Sequence, residues 1–599
     1  MKQKQGIKEY GTAFWLPILL ILAVVPLVTI IHMYDNGIGK EAWASSSSTT
    51  YDFFLYYKSR ILMILGLAAA ALIGYRFLNE DKGNFTAKNA WIHLLPVGVY
   101  GIFSLASALF AEHTEEAFFG GYEQFEGVLV LLVYCVTFLL VYGYVQTEKT
   151  VIMLLHALIL GSLAVSILGV FQALKLDWIQ SDWAYNLLTP ELAGMGDFNI
   201  SLNFERGMAY ATLHNPNYVG SYVAVALPVT AALAFLDKKM LFRCLAAASC
   251  ICQLIMLYAS QSLTGFIGIA GVLLVVLVFL LPNARKHVIP SLCIAAACIA
   301  GIAVLFVAKP GLLDRLLHDD GGSSVYSIQS IQTKKDSFEI VTGSGKTILG
   351  KTNPQDIRNV TLTDPSGKKL AYEKGTDQVL TITEKGVEKI QFAPSIVRLN
   401  QENNTSLEGL QIRADGKTWN LVYKDGKLRY YNPLGKLDKL RKVDSFGFEN
   451  NYDFATRRGY IWSRTFPMLP SAILFGIGQD NFVFEFPNHD YVGKINCAFD
   501  AQIITKPHNM YLQIWVQDGL FACLALVALY LMLLVSTLKN CWGSQKKTTM
   551  QKLSIAILCS ASGYMIAGLA NDATICVAPV FWILMALGFV LNGFIKRPD

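Results

Sequence analysis

Apolar runs of about twenty residues recur along this chain, each long enough to cross the hydrocarbon core of a bilayer. No other feature restricts the fold as much. In lipid every backbone N–H and C=O must find its partner inside the protein, which leaves helices or closed barrels. Twelve runs read as helical spans: 13–33, 61–78, 91–110, 127–146, 151–173, 216–236, 241–259, 263–281, 288–308, 509–537, 552–570 and 575–595. Charged residues make up only 16% of the 599, against roughly 25% in soluble domains, so an ordinary water-soluble enzyme is excluded.

The short loops alternate in charge. Lys2, Lys4, Lys8, Arg76, Lys82, Lys238, Lys239, Arg285, Lys546, Lys547, Lys596 and Arg597 fall in one set. The opposite set is poor in Lys and Arg and includes the acidic loop 111–126. The rule that basic loops stay inside puts both termini in the cytoplasm of a multi-pass cell-membrane protein. It also accounts for the net charge of +6 without any affinity for nucleic acid. The N-terminus lacks a small-residue cleavage site and reads as a retained first helix. Ten of the eleven cysteines lie in or beside apolar runs, which gives neither a disulfide framework nor zinc-ligand spacing.

Three regions follow: a nine-span bundle (1–308), a long extracytoplasmic loop (309–508) and three final spans (509–599). Within the loop, about 321–442 is polar and alternating, as in Asn359-Val360-Thr361-Leu362-Thr363 and Trp419-Asn420-Leu421-Val422-Tyr423. Asp364-Pro365-Ser366-Gly367, Asp415-Gly416 and Asp425-Gly426 supply turns, the signature of antiparallel hairpins. In the membrane-proximal segment 455–508, the run 466–483 is too short to span and contains Pro467 and Pro470. It is expected to lie on the outer boundary or dip into it. The fold class is thus an all-α polytopic membrane protein of about twelve transmembrane helices, with a small antiparallel β domain inserted in an extracytoplasmic loop.

Two helix starts share a dipeptide, His214-Asn215-Pro216 and His508-Asn509-Met510, and the topology puts both on the outer face. Asn as N-cap with Pro at the first helical position accounts for Asn215 and Pro216. It leaves Arg206 and His214 unexplained. After the second start, Asn509, Gln513 and Gln517 recur every four residues, a polar stripe down one helix face. Such a stripe lines a cavity or bonds to neighbouring helices. His508 stands at its mouth, and imidazole is the usual base near neutral pH. Thr456-Arg457-Arg458-Gly459-Tyr460-Ile461-Trp462 carries guanidinium groups suited to lipid headgroups or to a substrate diphosphate. Gly343-Ser344-Gly345-Lys346-Thr347 ends like a P-loop, but Ile340 stands where a glycine is required, and the motif is rejected. His318-Asp319-Asp320 reads as a solvated linker.

Arg206-x(7)-His214-Asn215-Pro216-Asn217, Ser262-Leu263-Thr264-Gly265, the arginine segment up to Trp462, Phe475-Gly476-Ile477-Gly478-Gln479-Asp480-Asn481-Phe482 and His508-Asn509-x-Tyr511-Leu512-Gln513 follow one another in this order. Together they resemble the O-antigen ligase and polymerase superfamily, over roughly 200–282 and 455–540. Thr264 stands where that family commonly has Arg, and the β insertion lies outside its pattern. The resemblance implies a membrane glycosyltransferase of cell-surface polysaccharide biosynthesis. Such an enzyme moves a glycan from a polyprenyl diphosphate donor to a saccharide or lipid acceptor, with no metal or other cofactor. The carried-over roles fall on His508 and Arg206 as catalytic residues. Arg457, Arg458, His214, Asn215, Asn509, Gln513 and Trp462 are the substrate-binding candidates. A protein O-oligosaccharyltransferase fits the same motifs. A transporter or flippase would be expected to carry midplane charges and internal repeats, and neither is visible in the sequence.

Overall fold

The computed structural model describes residues 8–189, 202, 204–283 and 327–596, apart from 46, 48, 386, 388–389, 400–404, 449–450, 501 and 545. The span expected at 288–308 and the linker 318–320 lie outside the described residues. Eight described helices are long and apolar enough to cross a membrane, from Tyr56–Leu78 to Ala578–Ile595. Two other expected spans appear as shorter apolar helices, Thr12–Leu27 and Val128–Tyr144. The run 552–570 forms the helix Thr549–Ala567. It is diluted by Ser554, Ser560, Ser562 and Gly563 and is not among the eight.

Three of these helices meet at backbone contact. A Cβ on Gly220 of the Pro216–Leu236 helix would lie 2.6 Å from the Gly265 Cα of the Leu263–Leu280 helix. A Cβ on Gly268 would lie 2.9 Å from the Gly563 carbonyl of the Thr549–Ala567 helix. Small residues permit this approach, which is the usual basis of helix association in lipid. The same helices carry the polar groups of the candidate site at one end.

The β region has two sheets. Strands between Ser330 and Thr363 form a four-stranded antiparallel meander, and those between Tyr372 and Asp438 a seven-stranded one, also in chain order. Two of the expected turns are two-residue hairpins. Ala414 pairs with Lys417 across Asp415 (φ 50°) and Gly416 (φ 73°), and Lys424 pairs with Lys427 across Asp425 (φ 53°) and Gly426 (φ 67°). Two successive positive φ angles match the right-handed twist of the strands. Phe338, Phe392 and Trp419 fill the core between the sheets.

Loops from both halves of the chain hold this region down. Asn432 Nδ2 donates to the Ala42 carbonyl (2.7 Å) and Lys436 Nζ to that of Glu41 (2.9 Å). Tyr491 donates to Asp438 (2.8 Å), and Asn496 Nδ2 to the Ile328 carbonyl (2.9 Å). Beneath, the Phe466–Ala472 turn leads to exposed Ile473, Leu474 and Phe475, an apolar edge beside Phe110 and Phe103.

Candidate functional site

Both His-Asn starts adopt one local geometry. His214 (φ 72°) and His508 (φ 53°) are left-handed, and Asn215 and Asn509 are extended. Asn215 Oδ1 accepts the Asn217 amide (2.8 Å), and Asn509 Oδ1 accepts those of Tyr511 and Leu512 (3.0 Å each). Each cap contributes roughly 1 kcal/mol. The left-handed turn before it costs a β-carbon residue roughly 1–2 kcal/mol and sets the imidazole beside the helix mouth.

The two mouths adjoin. Asn571 Nδ2 donates to the Asn217 carbonyl (3.3 Å) and to Ser221 Oγ (2.9 Å). Ser262, which caps the Leu263–Leu280 helix, lies 3.4 Å from Asn217 Oδ1. Three helix N-termini therefore gather at one end of the bundle, where their orphan N–H groups favour an anion.

His508 Nδ1 lies 2.8 Å from Asp572 Oδ2. The imidazole is 44% exposed, whereas the carboxylate is fully buried. A carboxylate accepts, so Nδ1 donates, and in the neutral form of the ring Nε2 is the open lone pair. Burial opposes the Asp572 charge, yet His508, Lys506 and Arg458 around it hold its carboxyl below the usual carboxylate range. Lys506, 6% exposed, donates to the Tyr218 hydroxyl (2.9 Å) and the Glu123 carbonyl (2.8 Å). Burial works against its ammonium, but Tyr218 and Asp572 outweigh that and raise its pKa. Burial lowers the Arg458 pKa, and Asp572 opposes the shift.

Gln513 and Asn509 position the carboxylate. Gln513 Oε1 accepts the Ala573 amide (2.7 Å), and Asn509 Nδ2 donates to the Leu569 carbonyl (2.8 Å). Trp462 Nε1 donates to the Pro507 carbonyl (2.8 Å) and so fixes the residue before His508. Asn509, Gln513 and Trp462 thus serve as supports. Two atoms near the pair, Asp572 Oδ1 and Arg458 Nε, are buried without a partner among the described residues. This corner therefore offers more polar valence than the chain itself satisfies.

Other candidates lie apart from the pair. Arg206 is exposed in a turn whose Gly207 lies against Lys175, and makes no hydrogen bond or ion pair among the described residues. Arg457 donates to the Ala498 carbonyl (3.2 Å) and lies over Phe499. Arg464 is committed to buried Asp490 (3.0 Å). Ala455, Thr456 and Arg457 are all left-handed, which breaks the first turn of the Phe454–Thr465 helix. Arg458 closes that turn by donating to the Ala455 carbonyl (2.9 Å) and Thr456 Oγ1 (2.7 Å).

Burial, with Lys506 and Lys58 adding repulsion, pushes the His214 imidazole down to about 3. Between pH 5 and 9 it is neutral and no proton leaves or joins it. His214→Gln is therefore expected to leave the acid limb of any pH–activity profile in place. A displaced limb would assign the titrating group to His214.

Asp572, Lys506 and Tyr218 are the residues that sequence reasoning missed. The available signal was the pair Asn571-Asp572, a carboxylate in a short loop between two apolar runs. Among the described residues, no three His, Cys, Asp or Glu side chains converge as metal ligands. No family model, curated protein or solved structure matches this chain.

Proposed function

We propose that this protein is a membrane glycosyltransferase that moves a glycan from a polyprenyl diphosphate to a saccharide or lipid hydroxyl, outside the cytoplasmic membrane. The supporting observation is the His508–Asp572 pair with Lys506 and Arg458 around it, where three helix N-termini meet. In this reading the acceptor hydroxyl gives its proton to His508 Nε2 while its oxygen bonds to the anomeric carbon. The bond from that carbon to the diphosphate oxygen breaks, and the diphosphate leaves with the electron pair. Asp572 steadies the imidazolium as it forms. Arg458 and the helix N-termini take the negative charge that develops on the leaving group. One displacement inverts the anomeric centre.

A retaining route needs a carboxylate nucleophile at the anomeric carbon. Asp480 and Asp518 are 1% and 2% exposed, and Asp480 is already bonded to backbone amides, which favours direct displacement. The proposed architecture is twelve spans with both termini cytoplasmic and the β region outside. The test is purified protein with a polyprenyl-diphosphate glycan and a saccharide acceptor. A product ladder marks a polymerase and a single transfer a ligase. Release of no polyprenyl diphosphate with any acceptor would sink the reading.

A further inference from the structure

A second polar cluster lies on the far side of the 121–126 loop from His508. The backbones of 477–478 and 516–517 run side by side, with the Ile477 amide donating to the Val516 carbonyl (2.9 Å) and the Gly478 amide to that of Gln517 (3.0 Å). Gln479, Asp480 and Asn481 follow in the turn after 478, Gln517 and Asp518 end the Met510–Asp518 helix, and each is at most 3% exposed. Six of their side-chain atoms have no hydrogen-bond partner among the described residues: both amide atoms of Gln479, Asp480 Oδ1, Asn481 Oδ1, Gln517 Nε2 and Asp518 Oδ1, with the Ser104 hydroxyl standing beside the Asp518 carboxyl. Orphaned buried polar atoms are individually costly and rare, so a concentration of them where a turn meets a helix C-terminus implies a guest.

The inventory says what kind. Four of the six are oxygens, two of them from carboxylates. Glu126, 5% exposed, adds a third acid within electrostatic range of both Asp480 and Asp518, while Lys506 is the cation acting on Glu126 and Asp480. Three carboxyls therefore share a dry interior with one ammonium, and burial pushes the Glu126 and Asp480 carboxyls up towards their neutral form, a penalty that a bound cation would relieve. Hard cations take carboxylate, amide and water oxygens, and water supplies the acceptors that the two amide nitrogens need. We propose that this cluster binds a hard cation together with some of its water, with Asp480 Oδ1, Asp518 Oδ1, Gln479 Oε1 and Asn481 Oδ1 as its protein ligands.

This site stands apart from the transfer chemistry and supports it from behind. The other oxygen of Asp480, Oδ2, accepts the Gly121 and Glu126 amides (2.9 Å each). The loop between those amides gives the Glu123 carbonyl to Lys506, and Gln124 lies 3.4 Å from Gln513. A cation that fixes Asp480 therefore fixes the loop that carries Lys506.

The test is thermal unfolding of the detergent-purified full-length protein at constant ionic strength, with choline chloride replaced by NaCl, MgCl2 or CaCl2. The expected result is a saturating rise in Tm with at least one metal ion, because a ligand that binds only the folded state stabilises it by mass action. Asp518→Asn, which leaves the Asp480 backbone bonds intact, should abolish that rise. Equal Tm in choline and in all three metal salts would mean that water alone fills the cluster and would overturn the proposal. A rise that persists in Asp518→Asn would put the ion elsewhere and overturn it too. Gln479→Leu, which removes a neutral ligand, serves as the second variant and should likewise abolish the rise; a rise that persists in it would overturn the proposal.

Discussion

His508→Ala is expected to slow glycan transfer by about 10²–10⁴-fold, the usual contribution of a positioned general base. The donor KM should change little, because Arg458 and the helix N-termini are untouched. The imidazole is 44% exposed, and its side-chain hydrogen bond is to Asp572, so the variant should fold. The measurement is initial rate against donor concentration on protein of matched monodispersity. An undiminished rate from folded His508→Ala would remove the base assignment.

Asp572→Asn should be at least as damaging, through two separable effects. The amide can present its NH2 to His508 Nδ1, which moves the ring proton to Nε2 and leaves no lone pair for the acceptor hydroxyl. A loss of about 10³-fold or more is expected from this tautomer change. The second effect is on stability. Lys506 and Arg458 both act electrostatically on Asp572, and a buried pair that loses one partner typically costs about 3–5 kcal/mol. The folded Asp572 carboxyl lies below its ordinary range. Its stabilisation is therefore complete above about pH 4 and is lost only as pH falls through the depressed value. Wild type and variant should differ in Tm at pH 7 and converge only in strong acid. Convergence already at pH 6 would show that the Asp572 charge does not stabilise the fold.

What could be read from the sequence was mostly local. The apolar runs at 61–78, 91–110 and 216–236 became helices because length and hydropathy suffice in lipid. Asp415-Gly416 and Asp425-Gly426 turned the chain as two-residue hairpins because few other pairs tolerate two positive φ angles. The Asn caps at 215 and 509 followed from side chains that reach their own helix amides. The site was only half legible. His508 and Arg458 stood in visible motifs, but Asp572 meets His508 across 64 residues through a fold-dependent approach of two loops. Arg206 reads as a catalytic residue beside His508 because a pattern carries no distances. The left-handed turn at 455–457, which directs Arg457 outwards and Arg458 inwards, leaves no mark in a sequence without glycine there.

The left-handed backbone at His508 bears on directed evolution. Glycine or asparagine would occupy φ 53° with less strain than histidine does. Selection of this chain for heat resistance alone should therefore drift towards those residues at position 508, yielding hardier variants with no base at the helix mouth. Retention of histidine there would be the mark of selection for turnover.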